Sequence, residues 1–124
     1  MLENGISCTS SVPSGASTGS KEALELRDHD ERFHGKGVLK TVDNVNSIIA
    51  PVLVGMEINQ NAVDKKMLEL DGTENKSNLG ANAILGVSLC TLKCLAALEG
   101  KELFEFVSTG KFNMPVPMIN VING

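Results

Sequence analysis

Apolar residues recur at helical spacing through the middle of this chain and alternate only in short stretches towards its ends. Val38, Val42, Val45 and Ile49 stand at offsets of four, seven and eleven. That spacing lines one stripe of a helix and predicts an amphipathic helix over residues 38–50, stopped by Pro51. Asn59 is placed to cap a second helix, which sets Val63, Met67 and Leu70 on one side before Asp71-Gly72 turns the chain. A third, over residues 80–99, carries Ile84, Leu85, Val87, Leu89, Leu92, Leu95 and Leu98, with only Asn82, Ser88, Thr91 and Lys93 interrupting. It is apolar around most of its circumference and is expected to be the core element. Its continuous apolar run falls short of the ~18–20 residues of a bilayer span and Lys93 lies inside it, so no membrane crossing is expected. Gly100 is placed to end it, and Leu103, Phe104 and Val107 predict a last short helix.

The alternating stretches predict strands. Between Glu22 and Asp28, Ala23, Glu25 and Arg27 alternate imperfectly with Leu24 and Leu26, which reads as a short half-buried strand. Pro115 and Pro117 lead into Met118-Ile119-Asn120-Val121-Ile122, a nearly continuous apolar run of the kind buried in parallel sheets. A lone parallel strand has no partner, so this run implies that the natural chain continues or that another chain supplies its neighbours. Residues 1–12 are polar and weakly patterned, a frayed strand or a disordered arm. Residues 29–37 read as a charged, solvated turn.

Composition narrows the function. With 124 residues and 42% hydrophobic content the chain fits one domain with a modest core. A net charge of −4, 3% aromatics and no Trp or Tyr argue against nucleic-acid and anionic-membrane partners. Small molecules or proteins remain. Cys8, Cys90 and Cys94 make no disulfide framework and no basic-then-apolar leader is seen, which points to a reducing, cytoplasmic setting. Cys90 and Cys94, four apart, share a helix face and read as small core residues rather than metal ligands. His29 and His34 lie among charges without catalytic spacing and read as solvated imidazoles. Asp71, Glu74 and Asn75 resemble an ion site but are explained by turn formation.

The chemistry concentrates in Ser14-Gly15-Ala16-Ser17-Thr18-Gly19, which can offer backbone and hydroxyl oxygens to a hard metal ion beside an anionic ligand. A nucleotide P-loop is excluded, because Gly15 and Gly19 are too close together and Lys21 is displaced. Alone, such a loop reads as a flexible connection.

Several blocks taken in order change that reading. Val12-Pro13-Ser14-Gly15-Ala16-Ser17-Thr18-Gly19, Glu22 to Asp28, Gly35-Lys36-Gly37-Val38, Leu70 to Ser77, Gly80 to Leu89 and Pro115 to Gly124 together resemble enolase, the phosphopyruvate hydratase of glycolysis, from about Ser11 to Gly124. The resemblance implies an α+β fold: an enolase N-terminal-like domain with a short antiparallel sheet remnant packed on a helical bundle, ending in an unpaired barrel strand. The implied division is a frayed arm over 1–11, the domain over 12–112, and the first strand of an otherwise absent α/β barrel over 113–124. Enolases are magnesium-dependent lyases that interconvert 2-phosphoglycerate and phosphoenolpyruvate, with a metal-stabilised enediolate. By resemblance Gly15, Ala16, Ser17 and Thr18 close over the substrate, with Gly15 and Gly19 as hinges, and Ser17 holds the second magnesium through its carbonyl and hydroxyl oxygens.

The departures are as informative. The family's barrel lysine and its glutamate have no counterpart here, so no catalytic residue is assigned. Lys21 stands where enolases commonly carry His or Tyr. Residues 1–10 do not replace the family's opening strand and hairpin, and the segment before Pro115 looks shortened. The expectation is therefore a truncated or alternatively spliced product, or a pseudogene-like copy, inactive alone. Its other expected role is as an interaction module pairing with intact, dimer-forming enolase subunits through the apolar residues 116–122.

Overall fold

The computed structural model describes residues 1–122, and its regular elements are all helical. The first helical run consists of α1 (Leu39–Asp43), a π-helical stretch (Asn44–Ile49) and α2 (Ala50–Leu53). It continues past Pro51, where the sequence predicts a stop. The reason lies in the wider turn just before it: Ala50 N–H reaches back to the Val45 carbonyl rather than to that of Asn46. A proline ring clashes with a normally wound helix and lacks an N–H, and the π stretch relieves the first problem and absorbs the second. Val54 N–H then bonds the Ala50 carbonyl at 2.9 Å, and α2 ends.

The helix α3 (Gln60–Asp71) forms as its pattern predicts. Asn59 Oδ1 accepts from Ala62 N–H at 3.0 Å, and Gly72 closes the helix in the left-handed region at φ 68°. Val63 and Met67 are buried and Leu70 half-buried. The helix α4 (Ala81–Leu98) packs along α3. Its buried residues are Ala83, Ile84, Cys94 and Ala96, whereas Leu85 and Leu98 are exposed. Three of these four buried residues are small, and two leucines expected in the core, Leu85 and Leu98, lie outward. The core unites Ile49, Val63, Met67, Leu79, Ala83 and Ile84, with Val45, Leu53, Leu70 and Val87 packed against it.

By length and a mean hydropathy of 1.7, α4 does reach what a bilayer crossing requires, so run length alone does not exclude one. In the fold, α1, the π stretch, α3 and α5 (Leu103–Val107) all pack on it, and 22% of that span is buried. The last of these begins with a reciprocal cap between Glu102 and Glu105.

The predicted sheet is absent. No strand occurs among the described residues, so the α+β reading, its sheet remnant and its barrel strand are corrected to an all-helical architecture with long extended connections. Residues 22–28 do run as a connection, but their hydrogen-bond partners are a turn and a side chain. Leu24 N–H donates to the Asn75 carbonyl and Leu24 carbonyl accepts from Ala81 N–H, both at 2.8 Å. At Leu26 the Asn82 amide takes the place of a neighbouring strand, accepting from Leu26 N–H at 3.1 Å and donating to its carbonyl at 3.0 Å. Thr41 Oγ1 donates to that same carbonyl at 3.0 Å. Gly80 makes this approach possible: at φ 93°, a Cβ there would lie 2.6 Å from Leu26 Cβ. The apolar residues 114, 116, 118, 119, 121 and 122 are all 80% exposed or more, with no strand alongside to form a ladder. Asn123 and Gly124, the end of the predicted strand, lie outside the described residues.

Candidate functional site

The loop from Ser14 to Gly19 is exposed along its whole length, and so are its flanks from Pro13 to Leu24. Two local bonds shape it. Ala16 N–H donates to Ser14 Oγ at 3.2 Å, and Ser17 N–H donates to the Gly15 carbonyl at 2.9 Å. Ala16 takes a left-handed conformation at φ 67°, unusual for a residue with a Cβ and worth of order 1 kcal/mol of strain. Glu22 N–H donates to the Gly19 carbonyl at 3.2 Å and closes the far end.

Among the described residues, one side-chain hydrogen bond ties the loop to the body. Ser14 Oγ donates to Glu25 Oε2 at 2.9 Å, while Glu25 Oε1 pairs with the Arg27 guanidinium. Arg27 in turn donates through Nη1 to the Lys36 carbonyl at 2.7 Å. Glu25 and Arg27, read in the sequence only as polar positions of an alternating stretch, thus form the loop's anchor. No local spacing signals that role, because Glu25 meets Ser14 from eleven residues away.

Behind the anchor stands a rigid corner. The Asp28 carboxylate accepts from Leu39 N–H at 2.8 Å, Lys40 N–H at 2.9 Å and Arg32 Nη2 at 3.2 Å. It satisfies the free amides at the start of α1 although it lies eleven residues before that helix. The Lys40 amide first, then the Leu39 amide and Arg32, hold its carboxyl below the usual Asp range against the opposing effect of burial.

Gly15, Ala16, Ser17 and Thr18 are therefore brought to one exposed surface loop. Among the described residues nothing engages the Ser17 hydroxyl or carbonyl oxygen. Those two hard oxygens suit magnesium in kind but not in number, since the ion takes octahedral coordination. Glu25 is the carboxylate bonded to the loop, and its oxygens are committed to Ser14 and Arg27. No group of three or more His, Cys, Asp or Glu among the described residues is arranged to hold a metal ion. His29 and His34 are exposed, as their charged surroundings predict.

Comparison with known proteins places the sequence in a family. The family model described as "Enolase, N-terminal domain" matches residues 1–107. The chain is similar to the enolase of Thermococcus gammatolerans, at 62% identity over 115 residues, covering 91% of this chain and 27% of that protein. The enolase of Thermococcus kodakarensis gives the same identity and coverage. The enolase of Malacoplasma penetrans is 55% identical, covering 98% of this chain and 29% of its own length. The chain thus spans less than a third of each of these relatives.

Proposed function

Because the chain belongs to the enolase family, matching its N-terminal domain, we propose that it carries the substrate-covering loop of a magnesium-dependent 2-phosphoglycerate dehydratase without the groups that move protons. The observation that carries this reading is the exposed Ser14–Gly19 loop, anchored through Ser14 to Glu25, inside a region matched over residues 1–107. Its residues do three things. Glu25 and Arg27 fix the near end of the loop, so closure swings about a set point. Gly15 has open space around it, with nothing within 4 Å of where a Cβ would lie. Ser17 presents its hydroxyl and carbonyl oxygens, the atoms that would serve as magnesium ligands, and Gly15, Ala16 and Thr18 form the cover over the anion. Bound magnesium supplies Lewis-acid stabilisation of the charge that develops beside the substrate carboxylate. Coupling closure to the anion keeps water out only while substrate is held.

On this reading the chain alone does not turn over 2-phosphoglycerate, and its setting is the cytoplasm, where glycolytic substrates occur. A homogeneous preparation incubated with 2-phosphoglycerate and magnesium is expected to form no phosphoenolpyruvate above the buffer rate. Formation of phosphoenolpyruvate that copurifies with the chain at every step would overturn this.

A second reading rests on a separate observation, the exposed apolar residues Val116, Met118, Ile119, Val121 and Ile122. Such a surface favours burial against a partner, here an intact enolase subunit. Co-purification of tagged chain with an intact enolase supports it, and a strictly monomeric chain that ignores the enolase refutes it.

A further inference from the structure

The N-terminal arm has the side-chain register of a strand but no strand beside it. From Ile6 to Val12 exposure alternates strictly: Ile6, Cys8, Ser10 and Val12 are half-buried, and Ser7, Thr9 and Ser11 are exposed. A period of two marks an extended segment lying on a surface. That surface is α4. Ser10 Oγ donates to the Gly86 carbonyl at 2.7 Å, Cys90 Sγ donates to the Cys8 carbonyl at 3.1 Å, and Lys93 Nζ donates to the Thr9 carbonyl at 2.7 Å. These bonds fix the arm on the helix without using its amides. Among the described residues, no N–H of residues 7–12 donates a hydrogen bond.

Room for a second strand lies next to it. An open cavity of about 530 Å³ runs between the arm, the first helical run and α4, with Cys8, Ser10, Val42, Val45, Ala83 and Val87 among its walls. A strand laid along the arm would set its backbone against the unused amides and every second side chain into this trough. The chain carries a segment of the matching kind. Met118, Ile119, Val121 and Ile122 are each 80% exposed or more, and among the described residues no strand lies alongside them. At about 3.4 Å per residue, residues 118–122 span roughly 17 Å and residues 7–12 roughly 20 Å, so the lengths agree.

We propose that residues 118–122 of a second copy of this chain pair with arm residues 7–12, and that two copies exchange these segments reciprocally to form a closed dimer. The occupant is a second copy because the chain bears both halves of the joint, and a two-fold exchange leaves neither a spare tail nor a spare arm. Ile119 and Val121 share one face of the tail and are the pair suited to the trough, since Asn120 stands between Met118 and Ile122 on the other face. By the transfer energies of such side chains each covers on the order of 100 Å², so two exchanged tails with the surfaces they meet bury roughly 1,600 Å², the size of a stable interface. The pairing needs only this chain, so its failure would leave the reading of the Ser14–Gly19 loop untouched.

Sedimentation and amide exchange of the purified full chain test this. The sedimenting mass is expected to double as concentration rises, and the amides of residues 7–12 and 118–122 to become protected together over the same range. Two variants locate the joint. Ile119→Asp places a charge on the tail face that enters the trough. Ser10→Pro with Ser11→Pro removes one amide from each edge of the arm, because successive residues point their amides to opposite sides. Neither variant touches a helix, and circular dichroism checks that the helices are kept. Each is expected to raise the dimer's Kd at least about tenfold. A chain that stays monomeric at every concentration, tail amides protected without those of the arm, protection already complete in the monomer, or a dimer that survives the arm change would each overturn the proposal.

Discussion

Two polar, glycine-bearing segments of this chain look alike in composition and behave oppositely. One is the turn from Gly72 to Gly80, the other the loop from Ser14 to Gly19. The turn is organised by a single buried carboxylate. Asp71 is 1% exposed. Its Oδ1 accepts from Thr73 N–H at 3.0 Å and from the Thr73 hydroxyl, and its Oδ2 accepts from Asn78 N–H at 3.1 Å and Leu79 N–H at 2.7 Å. Its backbone carbonyl accepts from Asn78 Nδ2 at 2.7 Å. The loop has no such centre. Its link to the body is the hydrogen bond from Ser14 to Glu25. A buried acceptor that gathers several amides immobilises a polar segment, whereas one partly exposed contact leaves it free to move. The first design builds a joint between α3 and α4, and the second leaves an exposed loop held by a single side-chain contact.

The largest expected effect comes from removing the centre of the turn. Asp71→Ala leaves its buried donors unmet, and a loss of about 3 kcal/mol is expected from urea unfolding. A loss below about 1 kcal/mol would mean that the turn holds without its carboxylate. Gly80→Ala follows. The added Cβ would sit 2.6 Å from Leu26 Cβ and 2.7 Å from Asn82 Oδ1 in a left-handed conformation, so about 2 kcal/mol should be lost in the same assay.

Acid sharpens the contrast next. For Asp71, burial opposes ionisation, but the bonds from Leu79, Thr73 and Asn78 outweigh it and hold the carboxyl below the ordinary value of 3.8. Asp28 shifts the same way. Both folded values lie below the unfolded ones, so their stabilisation is complete above about pH 4 and fades as pH falls through the depressed values. The urea midpoint should therefore fall on acidification below pH 4, and in Asp71→Asn that acid dependence should be weaker.

The smallest effect on stability belongs to the loop anchor. Glu25→Ala should change unfolding free energy by less than about 1 kcal/mol, because the Glu25–Arg27 pair is partly exposed. It should nonetheless speed tryptic cleavage after Lys21, a readout that follows loop opening rather than global unfolding.

These contrasts also mark what the sequence disclosed. The helix α3 was readable because an N-cap, an apolar stripe and a closing glycine agree at Asn59, Val63, Met67 and Gly72. The existence of α4 was readable too, but its inward face was not. A helix apolar on nearly every side carries no direction, and the fold buries Ala83, Ile84, Cys94 and Ala96 while leaving Leu85 and Leu98 exposed. Alternation over residues 22–28 misled because a side-chain amide, Asn82, satisfies the backbone at Leu26, and no periodicity reports that. The apolar residues near Pro115 and Pro117 have strand composition, yet composition does not supply the partner that makes a ladder. Pro51 was read as a stop because the π turn before it leaves no mark in a local pattern. In the loop, Ser17 stood out through its resemblance to a family, while Glu25 and Arg27 required the fold to reveal their role.

Amide hydrogen exchange resolved residue by residue tests the contrast most directly. The amides of Thr73, Asn78 and Leu79 should exchange close to the rate set by global unfolding, while those of Thr18 and Ser20 should exchange nearly as fast as an unstructured peptide. Similar protection in the two segments would contradict the account, because the loop would then be fixed in place and unable to serve as a closing cover.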